Sequence, residues 1–190
     1  MSDNTTPDTL VPSFLKDALT LLSADGFACG EQWYHGTSSG LVESILANGL
    51  KGGGDTELSE RTQSTLGTIG NRQFESNDPV FLTQSKELAL YWAISKMHTR
   101  NLYFQKNEAP VVLAVEIDNA SIKSDVGATA ILLEPSNDYI LTIKSLYEEK
   151  GLTWEDVNPL QVDRQFFLNK LAMAYCNKDI PAAQVSVVQA

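Results

Sequence analysis

The chemistry-bearing residues cluster in one short run, "WYHGTSSGLVESILANGL", from Trp33 to Leu50. It holds His35, one of only two histidines in the chain, between an aromatic pair and Gly36. A neutral imidazole carries one donor and one acceptor. A histidine at a strand end can therefore bond its own scaffold with one ring nitrogen and offer the other to a ligand hydroxyl. Gly36 has no side chain, which lets a flat ligand approach the backbone N–H and C=O. Thr37 and Ser38 add hydroxyls. Two readings stand on these residues: a ligand-binding strand end, and a histidine that caps the turn for structural reasons. A Ser-His-Asp site is a third, although no particular serine is indicated.

Other templates fail. "GLKGGG" lacks the Lys-Ser/Thr of a phosphate-binding loop, and there is no HExxH, CxxC or GxSxG pattern. No metal site is expected. His98 falls at the end of a helical pattern, where interaction with the last carbonyls is ordinary.

The elements that must position His35 follow from hydrophobic spacing. Residues 13–23 read as a helix, with Ser13 as its cap and Gly26 beyond its end. "EQWYHGT" reads as a strand entering a turn. Leu41, Val42, Ile45 and Leu46 form the apolar stripe of the next helix, which closes on Gly49. Residues 51–78 show no period and read as a long loop with room for a short helix. A strand over 78–83 is followed by a Ser85-capped helix over 86–98. "PVVLAVEID" (110–118) is the clearest strand, a β-branched run expected to be buried on both faces. Residues 128–135 and 138–143 flank a Pro-Ser-Asn turn and read as a hairpin or a strand–helix pair. Residues 144–158 have helical spacing, 165–176 fit helix or strand, and 182–188 read as a closing strand. This mixed order gives an α+β domain over 13–190, preceded by a flexible segment over 1–12.

Composition narrows the function. The net charge of −10 argues against a broad nucleic-acid or anionic-membrane surface, while leaving room for a small basic site for a phosphate ligand. No apolar run reaches membrane-spanning length. The N-terminus lacks the basic and apolar regions of a secretory signal, so a cytoplasmic location is expected. Cys29 and Cys176 read as reduced thiols rather than a disulfide. "NLYFQ" at 101–105 resembles a protease tag site, but it lies between structured patterns and reads as native sequence.

Three blocks taken in order resemble the ADP-ribosyltransferase superfamily, in the His-Tyr-Glu branch that includes poly-ADP-ribose polymerases and diphtheria-like toxins. They are "YHGTSSGLVESILANGL" (34–50), "PVFLTQSKELALYWA" (79–93) and "VVLAVEID" (111–118). The resemblance covers about 80 residues. It implies a split antiparallel sheet gripping NAD as co-substrate. His35 would bond the adenosine-side ribose and Gly36 the nicotinamide amide. Thr37 or Ser38 would add a hydroxyl, and Tyr91 would stack on the nicotinamide. Phe81 stands where much of the branch has a second tyrosine. Arg61 and Arg72 would lie beside the pyrophosphate or adenine.

The reaction implied is cleavage of the nicotinamide–ribose bond through an oxocarbenium-like state, with transfer to an acceptor. The branch's glutamate is missing. Counting back eight from Pro181 gives Met173, and its neighbours Ala172 and Ala174 are not acidic. Glu134 is the first substitute and Glu116 the second. Otherwise the chain would be a mono-transferase with an apolar third residue, or a module that binds without turnover. The acidic net charge favours a protein acceptor over a nucleic acid. The resemblance also admits a toxin or effector delivered to a target-cell cytosol. NAD hydrolysis and RNA 2′-phosphotransfer are alternatives on the same fold.

Overall fold

The computed structural model describes residues 11–27, 30–67, 78–134, 136–156, 158 and 161–188. Of the N-terminal segment expected over 1–12, only 11 and 12 are among these, and Val11 packs against buried Leu15, Ala18 and their neighbours. Arg72 and Cys29 lie outside the described residues. Cys176 is a buried free thiol. No described helix is long and apolar enough to cross a membrane.

The six strands among these residues are β1 (Gln32–Ser38), β2 (Val80–Thr83), β3 (Pro110–Glu116), β4 (Lys123–Ser124), β5 (Met173–Cys176) and β6 (Val185–Val187). They form one sheet in the order β4-β5-β2-β1-β3-β6, with every pairing antiparallel. The helices are α1 (Ala18–Leu21), α2 (Ser39–Asn48), α3 (Thr56–Gly67), α4 (Lys86–Phe104), α5 (Val126–Ile131), α6 (Asp138–Glu149) and α7 (Arg164–Leu171). The α+β class is thus observed.

Several elements differ from the spacing-based expectation, each for a local reason. Twelve residues of the expected 51–78 loop form α3, longer than the short helix it left room for. Asp55 caps it, accepting the Leu58 amide at 3.1 Å. The expected hairpin or strand–helix pair over 128–143 is instead the helix α5 and the start of α6. Asp125 caps α5 through the Ala128 amide, and Asn137 caps α6 through the Tyr139 amide. Ile140, Ile143 and Tyr147 then share the buried face of α6 at helical spacing. The ambiguous 165–176 run is both elements in turn. Helix α7 ends at Ala172, whose left-handed φ of 51° turns the chain into β5. Helix α4 extends to Phe104, so His98 is an exposed position within it and not at its end.

Both faces of the sheet are covered at the centre. On one face, Trp33, Val80, Leu82, Leu113, Val115 and Ala174 pack into a single cluster. On the other, α4 crosses β1 so closely that a Cβ at Gly36 would stand 2.1 Å from the Ala89 carbonyl oxygen and 2.7 Å from the Ala93 nitrogen. Backbone cannot yield as a side chain can. Gly36 is therefore demanded by helix–strand packing, whatever else its backbone contacts. Gly36→Ala is expected to destabilise the fold by at least about 2 kcal/mol, read as a lower urea midpoint with little change in slope.

Candidate functional site

The site arises from a break in strand pairing. Strand β1 pairs with β3 over seven residues, from Gln32↔Glu116 to Ser38↔Pro110, and β2 pairs with β5 over four. Between β1 and β2 the register holds a single pair, Tyr34↔Thr83. Beyond it the strands part. The Phe81 carbonyl, which faces β1, is met by the His35 ring at 2.9 Å through Nδ1. A carbonyl only accepts, so Nδ1 carries the proton and donates. Burial holds the His35 pKa below its ordinary 6.5, and the positive charge of Lys96 lowers it further, against the opposing effect of the Phe81 bond. The ring is then neutral at pH 7, with Nε2 as a lone-pair acceptor. No described residue bonds that nitrogen.

A cleft of about 760 Å³ opens where the strands part, with His35, Thr37, Val80 and Phe81 among its lining. Helix α2 and residues 49–57 form the facing wall. Gly49 anchors this wall in a left-handed turn (φ 82°), where a Cβ would meet the Ile180 oxygen at 2.2 Å. Leu50 and Ile180 then exchange backbone hydrogen bonds of 2.9 and 2.8 Å.

The back of the cleft is a buried ion cluster. Arg100 is 1 % exposed at its side chain. It holds Glu108 with two bonds, Nε to Oε2 at 2.7 Å and Nη2 to Oε1 at 3.0 Å, and donates from Nη1 to Asp55. Ser38 donates to the same Glu108 at 2.5 Å. A Cβ at Gly40 would stand 2.3 Å from Glu108, so this glycine makes room for the carboxylate. Lys96 reaches Asp55 at 3.5 Å and lines the cleft. The Arg100 bonds pull the Glu108 pKa down to about 2, against burial and with help from Ser38. Burial works to raise Asp55, but its bonds to Arg100 and the Leu58 amide and the Lys96 charge outweigh that, so its pKa is lowered.

The sequence candidates divide across this geometry. His35, Gly36, Thr37 and Phe81 line the cleft. Ser38 does not. It is fully buried, and its hydroxyl is committed to Glu108. Tyr91 also lies outside the lining. Ala89 and Ala93 turn α4 toward β1, and Tyr91 falls about 200° around the helix from Ala89, on its outer side. It is 51 % exposed, with its ring 5.3 Å from that of Phe14. Met173 pairs with Thr83 and is buried against Leu88, Ala128 and Ile140, away from the opening. Glu134 is exposed on the turn after α5, where among the described residues its carboxylate meets only a 3.5 Å contact from the Asn137 amide, and it is not part of the cleft. Glu116 is at the exposed end of β3. The Arg61 guanidinium lies over Phe104, 5.6 Å from the ring centre.

The sequence reading missed Asp55, Glu57, Lys96, Arg100 and Glu108. The only local signal was the Asp55-x-x-Leu58 cap. Among the described residues, no group of three or more potential ligands could hold a metal ion. Comparison of the chain with protein-family profiles, curated proteins and solved structures gives no match.

Two measurements check this description. Arg100→Met leaves two buried carboxylates without their counter-ion and is expected to cost about 3–5 kcal/mol. Because the folded-state pKa of Glu108 is depressed, its contribution is complete above the ordinary value of 4.5 and is lost as pH falls toward 2. Glu108→Gln should therefore flatten the acid limb of stability between those values. The ring signals of His35, separated from those of His98 by a His98→Gln variant, should titrate below 6.5. They should move upward in pH when Lys96→Met removes the neighbouring charge.

Proposed function

We propose that this chain is an ADP-ribosyltransferase-like domain that binds NAD in the cleft between β1 and β2 and transfers ADP-ribose to a group on a protein acceptor. The observation that carries the reading is the His35 ring at the parting of the strands, with Nδ1 on the Phe81 carbonyl and Nε2 left as an acceptor. A ribose hydroxyl is the kind of donor that nitrogen takes. The cleft volume is within the range that holds a small-molecule ligand. Its floor offers an aromatic ring, Phe81, and the Gly36 backbone. The antiparallel sheet that opens between β1 and β2 is compatible with the split sheet of that superfamily.

In this reaction the bond between the ribose carbon and the nicotinamide nitrogen breaks, and nicotinamide leaves with the electron pair. The acceptor group bonds to the same carbon and loses its proton to a base carried by the acceptor. With Met173 apolar and buried, the reading is a mono-transferase in which the acceptor itself supplies the base. A second reading, binding of NAD without turnover, is favoured by the positions of Tyr91 and Met173 outside the cleft.

Incubation with labelled NAD and a protein mixture separates the outcomes. Label on protein with release of nicotinamide is expected. Each of His35→Ala and Phe81→Ala should weaken NAD binding about tenfold, the worth of one lost contact. Free ADP-ribose without labelled protein would mean hydrolysis. Binding without product would support the second reading, and the absence of both binding and turnover would overturn the family reading.

A further inference from the structure

Among the described residues, two lysines and no arginine line the cleft: Lys51 and Lys96. Lys51 is exposed on a turn followed by three glycines. Lys96 projects from α4, the helix packed on β1 through Ala89 and Ala93, so its backbone is fixed relative to His35. Its side chain is 30 % exposed, and among the described residues its only ion pair is the 3.5 Å contact to Asp55. Asp55 is otherwise well provided for. One oxygen takes the Leu58 amide at 3.1 Å and the other takes Arg100. Arg100, buried and forked onto Glu108, has no freedom to turn toward a ligand. Lys96 does: it is half-open to the cleft, on a long flexible stem, and loosely parked.

We infer that Lys96 is the anion-reading group of the cleft, leaving Asp55 to bind the pyrophosphate of a ligand whose ribose hydroxyl is held by His35. This inference rests on the NAD reading and puts Lys96 in the place expected of Arg61, which lies over Phe104; Arg72 is outside the described residues. It also assigns the ligand class from charge. A chain with net charge −10 repels polyphosphates at long range, so a nucleotide ligand needs a cation fixed inside the cleft.

The test compares NAD, ADP-ribose and nicotinamide on wild type, Lys96→Met and Lys96→Arg by calorimetry. Lys96→Met should weaken NAD and ADP-ribose at least tenfold, leave nicotinamide within twofold, and make NAD affinity less sensitive to salt. Lys96→Arg should restore most of the loss. A purely structural counter-ion would shift the thermal midpoint without separating charged from uncharged ligands. Equal ADP-ribose affinity in wild type and Lys96→Met overturns the inference while leaving the NAD reading intact. If wild type binds neither NAD nor ADP-ribose, the NAD reading fails, and inorganic pyrophosphate decides the rest. A shift of the His35 signals in wild type that is absent in Lys96→Met upholds an anion site at Lys96. No shift in wild type overturns it.

Discussion

A guanidinium taken out of water must be met by fixed acceptors, and much of this structure is arranged around that demand at Arg100. Its two carboxylates come from different parts of the chain. Asp55 stands at the start of α3, and Glu108 at the approach to β3. Glu108 in turn takes the Ser38 hydroxyl at the end of β1, and Gly40 opens α2 to admit it. One charged group thereby ties the end of β1, the first turns of α2 and α3, the far half of α4 and the entrance to β3. All of these except the entrance to β3 contribute residues to the cleft wall. Buried ion pairs add little net stability against apolar substitutes of the same size, but breaking one is costly. Such a cluster suits the fixing of geometry better than the raising of a melting point.

The cluster also sets the electrostatics in front of it. Arg100 faces two buried carboxylates, and Glu57 reaches it at 3.5 Å from the solvent side, so the group is negative on balance. Lys96 offsets part of that charge from the cleft side, where it also adds to burial, the larger cause, in holding the His35 pKa down. The two effects act together. A neutral imidazole is the form that offers an acceptor nitrogen, and a lysine beside it is the group that attracts an anion. The parting of β1 from β2 exposes both. Had the ladder continued past Tyr34↔Thr83, the Phe81 carbonyl would have been taken by backbone and the His35 ring would have had no anchor.

The sequence made the histidine and most of the sheet legible. His35-Gly36 before a helix-forming run, and the β-branched 110–118 segment, carry their signals locally. Helix α3 did not, because its stability is tertiary. It has no apolar stripe, and its first turn is held by Asp55, whose partner Arg100 is 45 residues away in sequence. Tyr91 was misplaced by reading residue identity without helical phase. Ala89 and Ala93, four apart and small, already marked the face of α4 that approaches a strand, and Gly36 was the matching small residue on β1. Read as a packing pair, these residues put Tyr91 on the outer side.

The acid that the proposed reading would place at 173 is a question of strand position. The cleft opens level with Val80 and Phe81, and the β5 residues opposite those are Cys176 and Tyr175. Met173 is two residues further on, opposite Thr83 and under Leu88, where an ionised carboxylate would be buried without a counter-ion. An acid at 173 would therefore be disfavoured by the packing that surrounds it, and a methionine suits the core there. The acids that do border the cleft, Asp55, Glu57 and Asp78, come from the facing wall and the start of β2. Asp55 is committed to Arg100. Glu57, 57 % exposed and reaching Arg100 at 3.5 Å from the solvent side, is far less constrained. Among the described residues, carboxylate chemistry in the cleft would therefore come from α3 and its approach, the segment fixed by the Arg100 cluster, or from Asp78, and not from β5.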